Sequence, residues 1–277
     1  MVGHGRGQSG RDGLAAVTDE TDPTDEAEPD PLDLLRPVEI DGDVVRRPAQ
    51  AWTPTVHAFL RHLRSAGLDC VPEPLDISGG TETLSYLPGA SGRDGWFAQH
   101  STEGLRSAAR LLRRVHDASV GWEPPADAVW AARPVPGDDL VMCHGDPGPW
   151  NIVWDGHEAI GLIDWDFLHP APRLDDVAYA LRWFAPARSD ELALEWHHFP
   201  VVPDRAARIV AFLDTYGDLP AFDRAETIAR RMEATIATAT ALAEAHVEPQ
   251  RTWRAEGHLE EQTEEVRWVR AHRDLLA

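Results

Sequence analysis

Three short apolar runs, 140–143, 152–154 and 159–163, lie close together near the middle of the chain, separated by residues rich in Gly, Pro, Asp and Asn. Runs of that length bounded by turn formers predict short strands rather than helices. The second and third flank Asp155-Gly156, a dipeptide favoured in tight hairpins, so they are expected to pair around it. Pairing would set Asn151 beside Asp164, with Asp146 a few residues away. Pro147 and Pro149 stiffen the intervening loop.

Upstream, 38–47 holds two β-like runs around Asp41-Gly42, and Pro48 ends the second. From Thr53 the pattern changes to a helical period. Thr53 reads as N-cap, Pro54 as the first helical residue and Gly67 as the stop, with Val56, Phe59, Leu60 and Leu63 on one stripe. Residues 74–78 and 82–87 read as a further strand pair ending at Pro88-Gly89. A second helix spans 101–116, with Ser101 or Thr102 as cap and an apolar face of Leu105, Ala108, Ala109, Leu112 and Val115. His116-Asp117 is expected to cap its end. Residues 121–139 are Pro-rich and loop-like. Downstream, Pro170, Pro172 and Arg173 enforce an extended segment, a helix starts at Asp175-Asp176, and 204–216, 222–246 and 253–276 read as three more helices.

Composition narrows the class. With 277 residues, 43% hydrophobic and 26% charged, the chain can build a substantial core. Residues 1–30 have almost no large apolar side chain and read as a disordered acidic tail. The formal charge of −21 disfavours a nucleic-acid partner and suits a cationic small molecule better, although acidic surface for solubility accounts for most such charge. No apolar run approaches a membrane span, and two distant cysteines, Cys70 and Cys143, fit a reducing, cytoplasmic setting. There is no lysine: all 26 Lys-plus-Arg positions are arginine.

The candidate chemistry is three oxygen-bearing side chains, Asp146, Asn151 and Asp164, converging at strand ends, which is how a hard cation is held beside a phosphate. Each type alone is an ordinary turn residue; the spacing of His144-Gly145-Asp146, Asn151 and the strand ending in Asp164 makes a site the better reading.

His144-Gly145-Asp146 with Asn151, followed by Ile163-Asp164-Trp165-Asp166, resembles the aminoglycoside phosphotransferase family of kinase-like enzymes (the phosphotransferase enzyme family). The wording of 163–184 is similar too, and the likeness covers about 40–270. It implies a two-lobed protein-kinase-like α+β fold, with a reduced β-rich N-lobe over 31–88 and a mostly helical C-lobe over 89–277. It also implies transfer of the ATP γ-phosphate, with Mg2+, to a small-molecule hydroxyl. Carried over by position, Asp146 is the base, Asn151 and Asp164 are metal ligands, and Asp166 either holds a second ion or caps the segment after it. His144 braces the loop; Asp176 braces it or caps its own helix. Ser85, Tyr86 and Leu87 match the adenine-pairing hinge.

Three departures from the kinase pattern stand out. Nothing before residue 38 reads as a Gly-rich loop set between two strands, although residues near the start are Gly-rich. The phosphate-gripping Lys is absent, which makes Arg46 its candidate replacement, with Arg47 beside it. The first helix lacks the partner Glu, and His57 stands nearest that place. A catalytically impaired nucleotide-binding protein therefore stays open as an alternative, as does a metal-dependent hydrolase recruiting His157 or His169. On the helix over 222–246, Glu226, Glu233 and Glu244 face away from the stripe of Ile228, Met232, Ile236 and Ala239. They either solvate that face or receive an amine-bearing acceptor. The acidic stretch 256–265 is expected to face water, and Trp150 to shape the acceptor side.

Overall fold

A computed structural model describes residues 38–277. The expected acidic tail over 1–30, the start of the N-lobe over 31–37 and any phosphate-covering loop before residue 38 lie outside the described residues. The first described elements are four strands and a helix. They are β1 (Glu39–Asp41), β2 (Val44–Pro48), α1 (Thr53–Ser65), β3 (Pro74–Ser78) and β4 (Thr81–Ser85), and the antiparallel sheet runs β1-β2-β4-β3. Gly42, at φ 59°, takes the tight turn between β1 and β2. Pro54 lies in the first turn of α1 as expected, but Thr53 is already helical and Trp52 stands at the cap position, with no side-chain cap bond. The Thr53 hydroxyl instead accepts from the Gln50 amide at 2.8 Å. Past β4 the chain crosses Tyr86–Gly89, and Ala90 then bridges Trp154 through two backbone bonds of 2.8 and 2.9 Å.

The rest is mostly helical. After the single turn α2 (Gly92–Gly95), α3 (Thr102–Ser119) buries the predicted stripe, and Ser101 is its cap, accepting from the Gly104 amide at 2.9 Å. This helix packs against α1, α6 (Arg205–Tyr216), β5 (Leu140–Cys143) and β7 (Glu158–Leu162), so the site is built on the central helix of the core. β7 pairs with β6 (Ile152–Asp155) in the expected hairpin, with Asp155 opposite Glu158 and Gly156 at φ 58°. β5 pairs with β8 (His169–Pro172), the extended proline segment.

α4 (Leu174–Phe184), α5 (Asp190–Glu195), α7 (Arg224–Glu244), α8 (Gln250–Ala255) and α9 (His258–Ala271) complete the chain. The single helix expected over 253–276 is two, because Gly257 takes φ 87° and breaks the first from the second. Among the described residues no helix is long and apolar enough to cross a membrane.

The acidic helix faces settle differently from each other. Glu226 and Glu233 are held at the surface by Arg270 from α9, and Glu244 pairs with Arg254. These carboxylates are engaged by cations of the chain itself. Glu265, expected to face water, is drawn inward by Arg182 and Arg188 at 2.9 and 3.0 Å.

One aromatic column ties the layers to the site. Phe59 of α1, fully buried, meets Trp165 at 5.5 Å between ring centroids, and Trp165 meets the His144 ring at 4.6 Å. Gly145 makes the tight approach behind this column possible. It sits at φ 85°, and a Cβ there would lie 2.2 Å from the Phe167 carbonyl oxygen. Gly145→Ala should lower the stability to urea by about 2 kcal/mol or more, because the left-handed backbone and the backbone clash penalise it together. A denaturation midpoint equal to wild type would contradict this account of the loop.

Candidate active site

The hairpin register sets the geometry. Ile152 lies opposite Leu162, and one step outward the Ile163 amide donates to the Asn151 carbonyl at 2.9 Å. Asn151 and Asp164 therefore leave the same end of the hairpin. Asp164 then adopts φ 62°, ψ 65°, a left-handed turn that Asp tolerates better than most residues. That turn ends the strand and leaves the side chain 43% exposed.

Asp146 sits across from Asn151 and is half-buried. Its carboxylate accepts from the Tyr179 hydroxyl, from the Asn151 amide nitrogen at 3.0 Å and from the Trp150 indole at 3.4 Å. Asn151 also donates to the Asp146 main-chain carbonyl at 2.9 Å, which fixes its amide so that the nitrogen faces Asp146 and Oδ1 turns away. Desolvation raises the Asp146 pKa from 3.8 to about 7, and the nearby Asp164 charge adds to it, against the opposing pull of the three donors.

The loop itself is clamped from below. Asp176, fully buried on α4, accepts from the main-chain amides of His144 at 2.6 Å and Gly145 at 2.8 Å, and from His116 Nε2 at 3.1 Å. His116 is therefore an interior brace, its other ring nitrogen bonded to the Tyr216 hydroxyl at 2.6 Å, and not the helix-end cap expected from sequence. His144 is also fully buried. Its Nε2 bonds the Ile163 carbonyl at 2.9 Å and so carries the proton, while Nδ1 accepts from the Asp146 amide at 3.2 Å. Burial lowers its pKa, so it is a neutral structural group. Arg231 of α7 adds a bond to the Gly145 carbonyl at 2.6 Å.

The arginine facing this cluster is Arg47, not Arg46. Successive side chains of a strand point to opposite faces. Arg46 turns outward to Asp41 at 3.1 Å, whereas Arg47 turns inward, 9% exposed. Its three nitrogens reach three carboxylates: Nε to Glu82 at 2.6 Å, one terminal nitrogen to Asp164 at 2.5 Å and the other to Asp166 at 3.3 Å. Burial alone would lower the Arg47 pKa, yet the charges of Asp164 and Glu82 hold it above its ordinary value. Asp166, buried, also accepts from the Trp52 indole at 3.0 Å.

Among the proposed hinge positions, the Ser85 and Tyr86 amides donate to the Glu73 and Asp43 carbonyls at 2.9 and 2.8 Å, and the Leu87 side chain lies against Gly161. His157 and His169, which a hydrolase reading would recruit, are occupied elsewhere: His157 with Ser101 at 3.2 Å, His169 with Asp175 at 3.2 Å.

Sequence reasoning missed two groups. Glu82 shares the inward parity of Leu84 in an alternating strand, and a carboxylate at a core position signals a buried partner. Tyr179 follows Asp176 by three residues on α4, which places both on one face.

Replacing Asp146 by Asn tests the desolvation directly. The native pKa lies above the unfolded value, so the folded state holds a proton the unfolded state has released, and stability falls as pH climbs from about 4 through about 7. Asp146→Asn should thus raise Tm at pH 8 and raise it less at pH 5. A gain independent of pH, or none, would refute the burial account.

Comparisons with known proteins fit this geometry. The model of the phosphotransferase enzyme family matches residues 125–208, the span containing the loop and both hairpin strands. The trifolitoxin immunity protein of Rhizobium leguminosarum bv. trifolii is 33% identical over 183 residues, covering 64% of this chain and 68% of that protein. Among solved structures, spectinomycin phosphotransferase in complex with ADP and spectinomycin superposes with a TM-score of 0.54 at 13% identity, covering 86% of this chain and 88% of the other. An amicoumacin kinase with AMP-PNP and Ca2+ gives 0.55 at 12% identity, covering 83% and 87%. At such identities the likeness is one of fold: the two-lobed kinase-like α+β architecture.

Proposed function

This chain belongs to the phosphotransferase enzyme family, and on that premise we propose that it transfers the γ-phosphoryl group of ATP, with Mg2+, to a hydroxyl of a small-molecule acceptor. The observation that carries the reading is the convergence of Asp146, Asn151 and Asp164 at one end of the β6–β7 hairpin, beneath the inward-facing Arg47. On this reading 38–88 forms the nucleotide side and 89–277 the acceptor side.

Asp146 orients the acceptor hydroxyl and accepts its proton. A carboxyl titrating at about 7 is matched to that work at neutral pH, since a base near the operating pH combines availability with driving force. Asn151 Oδ1 and the Asp164 carboxylate are the oxygen donors a hard cation takes, and the half-exposed Asp164 can turn from Arg47 toward it. Asp166, committed to Trp52 and Arg47, is the weaker candidate ligand. Bound Mg2+ would supply charge neutralisation on the phosphates.

Arg47, with one terminal nitrogen on the half-exposed Asp164 and the other on buried Asp166, replaces the phosphate-gripping Lys. Leu87 is the proposed hinge residue whose amide stands outside the sheet pairings that occupy Ser85 and Tyr86. Positioning and electrostatics then do most of the work, because phosphoryl transfer asks for little covalent help. The immunity role of the rhizobial relative fits an acceptor that is itself a toxin, inactivated by the added phosphate.

Two experiments test the reading. With an acceptor found by screening hydroxylated antibiotics and amines with radiolabelled ATP, Asp146→Ala should lower transfer about a hundred- to ten-thousand-fold while MgATP affinity is kept. Undiminished transfer would remove Asp146 as the base. In titration calorimetry, Arg47→Met should weaken MgATP binding at least tenfold and Arg46→Met barely at all, a charge-assisted pair being worth about 1.5–3 kcal/mol. The reverse order would reinstate Arg46.

A further inference from the structure

Kinases hold their phosphate-gripping cation with a carboxylate from the helix that follows its strand. In this chain that helix, α1, offers a histidine at the inward position. His57 is fully buried, and its Nε2 meets Glu82 Oε2 at 3.1 Å. Glu82 comes from β4, directly opposite Arg47 in the strand register, and gives its other oxygen to Arg47 Nε at 2.6 Å. We propose, building on the phosphate-transfer reading, that Glu82 is a positioning residue for nucleotide phosphate: with His57 behind it, it replaces the helix carboxylate and aims Arg47 at the phosphate oxygens.

The contacts of Arg47 divide into two kinds. Glu82 is 1% exposed and is held on both oxygens, so it has no alternative partner to turn to. Asp164 is 43% exposed and stands at the cleft, where an incoming cation competes for it. When phosphate and metal enter, the Arg47–Asp164 contact is therefore the exchangeable one and the Arg47–Glu82 contact the fixed one. Nε on Glu82 and one terminal nitrogen on buried Asp166 fix the guanidinium plane, and the other terminal nitrogen, now on Asp164, is the one left to be directed at phosphate oxygens. The anchor stays charged. Burial alone would raise the Glu82 pKa, but the His57 hydrogen bond and the Arg47 charge outweigh it and hold the carboxyl below its ordinary range. His57 also ties α1 to this anchor, so a shift of the helix would move the arginine through Glu82.

The test separates phosphate grip from general loosening by comparing two probes, MgAMP-PNP and adenosine, in titration calorimetry. Wild type should prefer MgAMP-PNP. Glu82→Gln keeps the shape but removes the charge, and should cut that preference about tenfold while adenosine affinity stays unchanged, the scale expected when a charge-assisted pair is weakened. Equal weakening of both probes, or no weakening, would overturn the role of Glu82 and leave the phosphotransferase reading standing. Wild type that does not distinguish the probes would overturn that reading and this inference together. If Glu82→Gln fails to fold, His57→Gln carries the same comparison: a reduced preference supports the proposal and an unchanged one refutes it.

Discussion

The site depends on the burial of one carboxylate. Asp176 has no exposure to water, and a charge in that position survives only if donors replace the lost hydration. Two consecutive loop amides and His116 supply them, from a different helix and a different part of the chain. The desolvation penalty is outweighed, and Asp176 ends with a pKa of about 2. The need is mutual: His144 and Gly145 turn too tightly to make regular backbone pairs, and their amides require an acceptor. The conformation of the loop that carries Asp146 follows from this exchange.

Asp146, two residues beyond His144, is the same chemical group brought to the opposite result. It too is desolvated, but its donors are neutral, a phenol, an indole and an amide, and Asp164 stands nearby with like charge. Its pKa climbs to about 7 where that of Asp176 drops to about 2. Neighbouring carboxyls driven apart in this way divide the labour: one is permanently ionised and structural, the other able to exchange a proton near neutrality. Arg47 applies the same rule to the strand side, where one guanidinium spans Glu82, Asp164 and Asp166 and so fastens the N-terminal sheet to the end of β7.

Much of this was legible in the order of residues. Apolar runs with turn formers between them predicted the β6–β7 hairpin, and hairpin pairing alone places Asn151 beside Asp164. The stripes of α1 and α3 read correctly because a helix against a core needs apolar residues at intervals of three and four. The errors have physical causes. Arg46 and Arg47 are adjacent and chemically identical, and only the strand register says which faces inward. The helix expected over 253–276 breaks because a glycine is free to leave helical φ. His116 read as a helix-end cap because periodicity marks a helix face without naming what covers it, and here Tyr216 and Asp176 do.

The sequence by itself determined the local elements, the loop chemistry and the family resemblance, since each rests on residues close together in the chain. Tertiary structure alone decided which arginine meets the carboxylates, that Glu82 and His57 stand behind it, that Tyr179 reaches Asp146, and which glutamates are taken up in surface pairs. Those outcomes join residues as much as 119 positions apart. Charge and hydrogen bonding act over a few ångströms of space, and a linear pattern records side-chain type without recording which distant group the fold brings within that reach.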